Sequence, residues 1–217
     1  MQTTFRDRSE AGRLLATLLA EYRGRADALV LALPRGGVPV GYEVARELGI
    51  SLDVLIVRKL GVPGHEELAM GAIASGGVRV VNEDVVRHLR IAPEIVDAVA
   101  ERESSEIERR EREYRGDRPR PRIEGRVVIV VDDGLATGST MKAAVGALRQ
   151  QHPASIVVAA PVAAADVCEE FWTIADRVVC ASAPVTLTAV SAWYDDFSQT
   201  SDEEVRALLA NAEGAKE

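Results

Sequence analysis

Short runs of consecutive apolar residues alternate along most of this chain with segments whose apolar positions recur at helical spacing. The runs at Ala28–Leu33, Leu52–Arg58, Arg126–Val131, Ser155–Val162 and Arg177–Ala181 are rich in Val, Ile, Leu and Ala, which predicts strands buried on both faces. Val78–Val81 adds a sixth. Helical spacing predicts helices over Val38–Leu48, Ser139–Gln151, Ala164–Phe171 and Asp202–Asn211. Ser9 is placed to cap an earlier helix carrying Leu14, Leu15, Leu18, Leu19 and Tyr22. Strand–helix alternation of this kind implies an α/β fold: three layers, α/β/α, around a mostly parallel sheet of about six strands.

Two stretches break the alternation. Too little helical sequence precedes Val78–Val81 for a parallel crossover, so this strand is expected to return antiparallel. The Gly-rich segment before it, about 60–77, is expected to be a flexible loop. A helical insertion follows over about 83–122. After Pro93 it runs from Glu94 to Tyr114 without Gly or Pro, with Glu106–Arg110, Glu108–Arg112 and Glu111–Arg115 at the favourable i,i+4 spacing. Ile95, Val99, Ile107 and Tyr114 form a thin apolar stripe, which suggests a solvated helix packed through one edge or against a second subunit. Arg118-Pro-Arg-Pro-Arg122 reads as a stiff, exposed connector.

Composition narrows the classes. The chain has 217 residues, 47% hydrophobic, with no linker-like stretch, and reads as one domain over 1–217. Aromatics at 4% and a formal charge of −8 argue against nucleic acid and anionic membrane as partners. The first residues lack the apolar core of a signal peptide, and the apolar stretch Ile156–Ala165 is too short to span a bilayer. Cys168 and Cys180 form no C-x-x-C, so they are expected to be reduced core thiols in a cytoplasmic protein.

Residues 128–140 carry the chemistry. Val128-Ile-Val-Val131 is a buried strand, and Asp132-Asp133 stands where it ends. Gly134 to Thr140 is a turn of small residues opening into the helix of Met141–Val145. Such a turn points backbone N–H groups and hydroxyls at one spot, at the positive end of a helix dipole, which favours a phosphate. The adjacent carboxylates can accept bonds from a sugar diol or hold a divalent cation. Phosphate, diol and metal together describe a sugar phosphate. In the loop after the first strand, Leu33-Pro34-Arg35-Gly36-Gly37, two glycines permit close backbone approach to an anion and Arg35 supplies a planar donor fork.

The thirteen positions from Val128 to Thr140 resemble the phosphoribosyl-diphosphate (PRPP) signature of type I phosphoribosyltransferases. The resemblance implies sheet order 3-2-1-4-5-6 with strand 3 antiparallel, and a binding crevice where strands 1 and 4 meet. It assigns Asp132 and Asp133 to the ribose hydroxyls, with Mg²⁺ nearby, and Ala136, Thr137, Gly138, Ser139 and Thr140 to the 5′-phosphate. Arg35, Gly36 and Gly37 match the loop that grips pyrophosphate, where the family often has a non-proline cis peptide. Arg58-Lys59-Leu60-Gly61 is similar to a run in adenine-type members, and adds Arg58 and Lys59 to the diphosphate. Asp132, Asp133, Arg35 and Lys59 are then the catalytic set, and Gly61–Gly77 would be a lid, in which His65, Glu66 and Glu67 are the candidate participants. Two departures are visible. Ala136 stands where 6-oxopurine enzymes carry a proton-relaying aspartate, which disfavours hypoxanthine and guanine, and Ser139 replaces a glycine.

The implied activity is Mg²⁺-dependent transfer of the phosphoribosyl group to a nitrogenous acceptor by a homodimer. The alternative is a PRPP-binding regulator without turnover, and a subunit scaffold is a third possibility. Trp193, Tyr194 and Phe197 are candidates to stack a base, or else local core.

Overall fold

Five of the apolar runs form one parallel sheet. A computed structural model describes residues 4–214. Its strands are β1 (Ala28–Ala32), β2 (Ser51–Val54), β3 (Val57–Val62), β4 (His65–Ala74), β5 (Val78–Val81), β6 (Val127–Val131), β7 (Ser155–Val162) and β8 (Arg177–Ser182). The helices are α1 (Arg8–Leu18), α2 (Gly37–Leu48), α3 (Glu83–His88), α4 (Pro93–Arg115), α5 (Ser139–Arg149), α6 (Ala165–Phe171) and α7 (Asp202–Gly214). The main sheet has the order β2-β1-β6-β7-β8, all parallel. Alternate residues serve opposite faces: Val30, Ile129 and Val157 join a core with α1, α2 and α7, while Leu31, Val130 and Val158 pack with α5 and α6. The expected α/β class is the observed one, but this sheet has five strands and not six: Val78–Val81, expected antiparallel at its edge beside the second strand, pairs in another sheet.

β1 and β6 run in register, with Ala28 opposite Val127 and Ala32 opposite Val131. The amide of Leu33 donates to the carbonyl of Val131 at 2.9 Å, so the loops leaving these strands start side by side. From there α2 leads toward β2 and α5 toward β7, in opposite directions along the sheet. This is the switch point at which open α/β sheets bind ligands.

The antiparallel part is larger than the sequence suggests. The run expected as one strand over Leu52–Arg58 divides into β2 and β3, and β3, β4 and β5 make a separate three-stranded antiparallel sheet. The segment expected as a flexible loop is therefore largely a hairpin. Its glycines serve the pairing: a Cβ at Gly61 would lie 2.8 Å from the Glu66 carbonyl oxygen, and one at Gly71 would overlap the Val80 carbonyl oxygen. The ladder shifts register on either side of Gly61, so the glycine that suggested a loop marks a bulge.

Local signals were displaced by small amounts elsewhere. Asp7, not Ser9, caps α1, accepting from the Glu10 amide at 2.7 Å. Leu15, Leu19 and Tyr22 are buried as expected, but Leu14 and Leu18 are exposed because Ala11 and Ala16 fill the inner face. In α4 the buried face is Val96, Val99, Ala100, Glu103, Ile107, Glu111 and Tyr114, and Ile95 points outward. The Glu106–Arg110 and Glu111–Arg115 pairs form at 2.7 and 3.1 Å, whereas Arg112 bonds the Glu108 carbonyl instead. The connector is pinned rather than free: Arg120 bonds Glu111 and Arg118 pairs with Glu213, leaving Arg122 exposed.

Cys168 on α6 and Cys180 on β8 are joined in a disulfide, contrary to the expectation of reduced thiols. The α6 crossover leads straight into β8 and packs on it, a proximity that spacing in the chain does not reveal. Among the described residues, no helix is long and apolar enough to cross a membrane.

Candidate active site

The acidic pair sits at the end of β6, half-buried, against the loop that follows β1. A Cβ on Gly36 would overlap Asp133 Oδ2, and one on Gly37 would lie 2.7 Å from the Val131 carbonyl oxygen and 3.0 Å from Asp132 Cα. Gly36 has an ordinary helical backbone (φ −59°, ψ −33°), so space and not conformational freedom requires glycine here. The Pro34–Arg35 peptide bond is cis, as the family resemblance implied. Arg35, Gly36 and Gly37 are thus brought to the acids by the register of β1 and β6.

Charge at the pair is only partly met. Asp132 Oδ1 accepts from the Asp133 amide at 2.9 Å, and Asp133 Oδ2 accepts from Arg8 Nε at 2.8 Å. Burial, and next the Asp133 charge, hold Asp132 well above the ordinary carboxylate range. Burial also raises Asp133, although Arg8 pulls against it. Tyr194 Oη donates to the Asp133 carbonyl at 2.6 Å; burial, reinforced by the nearby acids, pushes its hydroxyl up, so it stays a donor.

The turn from Gly134 to Thr140 follows. Leu135 is buried and anchors it, donating to the Val162 carbonyl at 2.9 Å and accepting from the Ala164 amide at 3.1 Å. Gly138 adopts the left-handed conformation (φ 66°) at the start of α5, and a Cβ there would lie 2.8 Å from the Phe171 ring. That turn leaves Ala136, Thr137, Ser139 and Thr140 exposed around the first turn of α5. The Thr137 and Ser139 hydroxyls are 3.1 Å apart, and the Ser139 amide faces Thr137 Oγ1 at 3.4 Å. Open amides at a helix start, ringed by three hydroxyls, are suited to a phosphate.

Arg58 and Lys59 do not act as one cluster. Adjacent residues of a strand face opposite ways. Lys59 lines a cavity of about 350 Å³ with Ser139, Thr140 and Lys142, and its Nζ donates to the Glu67 carbonyl at 3.3 Å. Arg58 turns to the other side of β3, where its Nε meets Glu103 Oε2 of α4 at 2.9 Å. His65, Glu66 and Glu67 open β4; Glu66 accepts from the Gly64 amide, and Glu67 is fully exposed.

Of the aromatic candidates, Trp193 and Tyr194 are buried with Phe5 in a small satellite core. Phe197 has the Arg8 guanidinium 3.9 Å over its ring. They are local core and a platform for Arg8. Arg8 is the site residue that sequence reasoning missed: its Nη1 also donates to the Ser198 carbonyl at 2.8 Å, tying α1 and the C-terminal segment to Asp133. One signal existed, since an arginine in the first turn of a helix opposes the helix dipole and wants an acidic partner from elsewhere.

A family model described as phosphoribosyl transferase domain matches residues 6–184. Two Mycobacterium tuberculosis proteins, of strains CDC 1551 and H37Rv, are each provisionally named phosphoribosyl transferases. Each is 48% identical over 208 residues, covering 96% of this chain and 47% of the relative. The chain therefore spans about half the length of these relatives. The crystal structure of TT1426 from Thermus thermophilus is 43% identical with a TM-score of 0.85, covering 96% of this chain and 98% of that one.

Proposed function

The chain belongs to the phosphoribosyl transferase family, and from that premise we propose that it moves the phosphoribosyl group of PRPP to a nitrogenous acceptor. The observation that carries this reading is the juxtaposition at the ends of β1 and β6. An under-compensated acid pair lies beside an open amide cradle, with an arginine-bearing glycine loop packed on the acids.

In the reaction, the C1′–O bond of PRPP breaks and its electron pair leaves with pyrophosphate, while a nitrogen lone pair of the acceptor forms the new bond to C1′. Ala136–Thr140 hold the 5′-phosphate. Asp132 and Asp133 take the ribose hydroxyls, and their negative charge favours the cationic ring of the transition state. Arg35 and Lys59 stabilise the departing pyrophosphate, while Arg58, expected to join them, is paired with Glu103 on the other side of β3 and is left out of the grip. The described residues gather no group of three or more His, Cys, Asp or Glu able to hold a metal ion. The acid pair therefore fits Mg²⁺ through water or through oxygens of PRPP, and the ion would supply charge neutralisation on the diphosphate. Ala136 offers no proton relay, which keeps hypoxanthine and guanine disfavoured as acceptors. A cytoplasmic location and a homodimeric assembly belong to the same proposal.

Calorimetry with PRPP and Mg²⁺, followed by pyrophosphate release across purines, pyrimidines and other amines, tests it. Binding together with release for one acceptor class is expected. Asp132→Asn with Asp133→Asn should cut kcat/KM by roughly 100-fold, a loss typical of removing preorganised transition-state contacts. Binding without release for any acceptor would make the protein a PRPP-responsive regulator. No binding at all would remove the reading.

A further inference from the structure

Resting on the reading just given, we propose that Tyr114 of the insertion helix and Asp202 of α7 are positioning residues for Arg35, and set affinity for the diphosphate of PRPP. Arg35 lies in the turn between β1 and α2, where its carbonyl accepts from the Val38 amide at 3.1 Å and the backbone is held, so what remains to be ordered is the side chain. The guanidinium is a third exposed, and the acid facing it is Asp202, with Nη1 to Oδ2 at 3.7 Å. That spacing engages one edge of the fork and leaves the remaining donors for an anion.

Asp202 is itself held. Its other oxygen, Oδ1, accepts from Tyr114 Oη at 2.5 Å. Tyr114 is buried, and burial, with the bond to Asp202 next, pushes its hydroxyl up to about 12, so it remains the donor at neutral pH. One ion pair joins the two helices, Arg206 with Glu113 at 3.3 Å, and a second, Arg118 with Glu213 at 2.5 Å, ties the connector that follows α4 to α7. Asp202 opens α7, where its charge is favoured by the helix dipole. A continuous chain of contacts thus runs from the buried face of α4 to the arginine of the β1 loop. The insertion, which the sequence presented as a solvated or subunit-binding helix, acquires a task in the active site.

Holding Arg35 in advance removes part of the ordering cost that binding would otherwise carry. Immobilising one rotamer-rich side chain corresponds to about fivefold in affinity. The test is calorimetry on the full chain with Mg²⁺·PRPP and, separately, ribose 5-phosphate, which has no diphosphate. Tyr114→Phe keeps the packing and removes the bond; Asp202→Asn keeps the shape and removes the charge. Each should weaken PRPP about fivefold while leaving ribose 5-phosphate unchanged. In an Arg35→Ala background, Tyr114→Phe should have no further effect on PRPP. Equal losses for both ligands, a loss that persists without Arg35, or no loss would overturn the positioning role and leave the proposed activity intact. Wild-type protein that bound neither ligand would overturn both.

Discussion

Two groups of carboxylates, one buried and one half-buried, differ in how their charge is met. Asp53 of β2 and Glu111 of α4 meet around Arg115 at the end of α4, which is 5% exposed. Arg115 Nε reaches both oxygens of Asp53 at 3.2 and 3.1 Å, Nη1 reaches Glu111 at 3.1 Å, and Nη2 reaches the Val54 carbonyl at 3.3 Å. Arg120 adds a second cation on Glu111. Burial pushes Glu111 up, but bonds from Arg120, Arg115 and Ser75 together hold it below its usual range. Burial leaves Asp53 raised, with the Arg115 charge pulling against it. At the other place, Asp132 and Asp133 have one arginine between them, and both stay raised. Where carboxylates serve the fold, the chain supplies their cations. At the ends of β1 and β6 the pair is left short of them, which is the imbalance that the ribose and Mg²⁺ of the proposed reaction would meet.

The sharpest break of this contrast is Arg115→Ala. It strands Asp53 and Glu111 without their shared cation and should cost about 3–5 kcal/mol of stability, measured by urea unfolding. A loss below about 1 kcal/mol would place that cluster with ordinary surface ion pairs. Next comes Gly36→Ala, whose added methyl must displace Asp133 or the loop. A misplacement of this order should lower kcat/KM by about 100-fold with little change in melting temperature. Unchanged turnover would show that the loop and the acids need not touch.

The smallest effect carries the opposite sign. Because Asp132 has a raised pKa in the folded state, the native protein binds its proton more tightly than the unfolded chain does. Stability from this group is present below the ordinary aspartate value and is lost as pH rises toward the native one. Asp132→Asn should therefore raise the melting temperature by a few degrees at neutral pH, a gain that closes in acid. A variant less stable than wild type at pH 7 would mean that the pair is compensated after all.

Much of the site was legible before any coordinates. Asp132, Asp133 and the residues from Ala136 to Thr140 fall within one short stretch, and a strand running into a helix places them by local geometry alone. Arg35, Gly36 and Gly37 were legible for the same reason. Arg58 and Lys59 were legible as cations but not as a divided pair, since which way each faces depends on where β3 pairs. Arg8 was invisible as a site residue because it stands 125 positions before Asp133, is joined to it only by tertiary contact, and no local pattern reports a partner at that range.

Backbone chemistry read along the chain determined which strand carries the acids, which turn can cradle a phosphate, and that the layers would be α/β/α. Apolar periodicity and glycine placement act over a few residues and need no tertiary context for that. Only the folded chain decided that glycines at 61 and 71 would knit a second sheet instead of a loop, that two cysteines would meet, and that Arg8, Tyr114 and Asp202 would converge on the loops of β1 and β6. These outcomes depend on packing and charge pairing between segments far apart in sequence, where the deciding energy belongs to the contact and to neither segment alone.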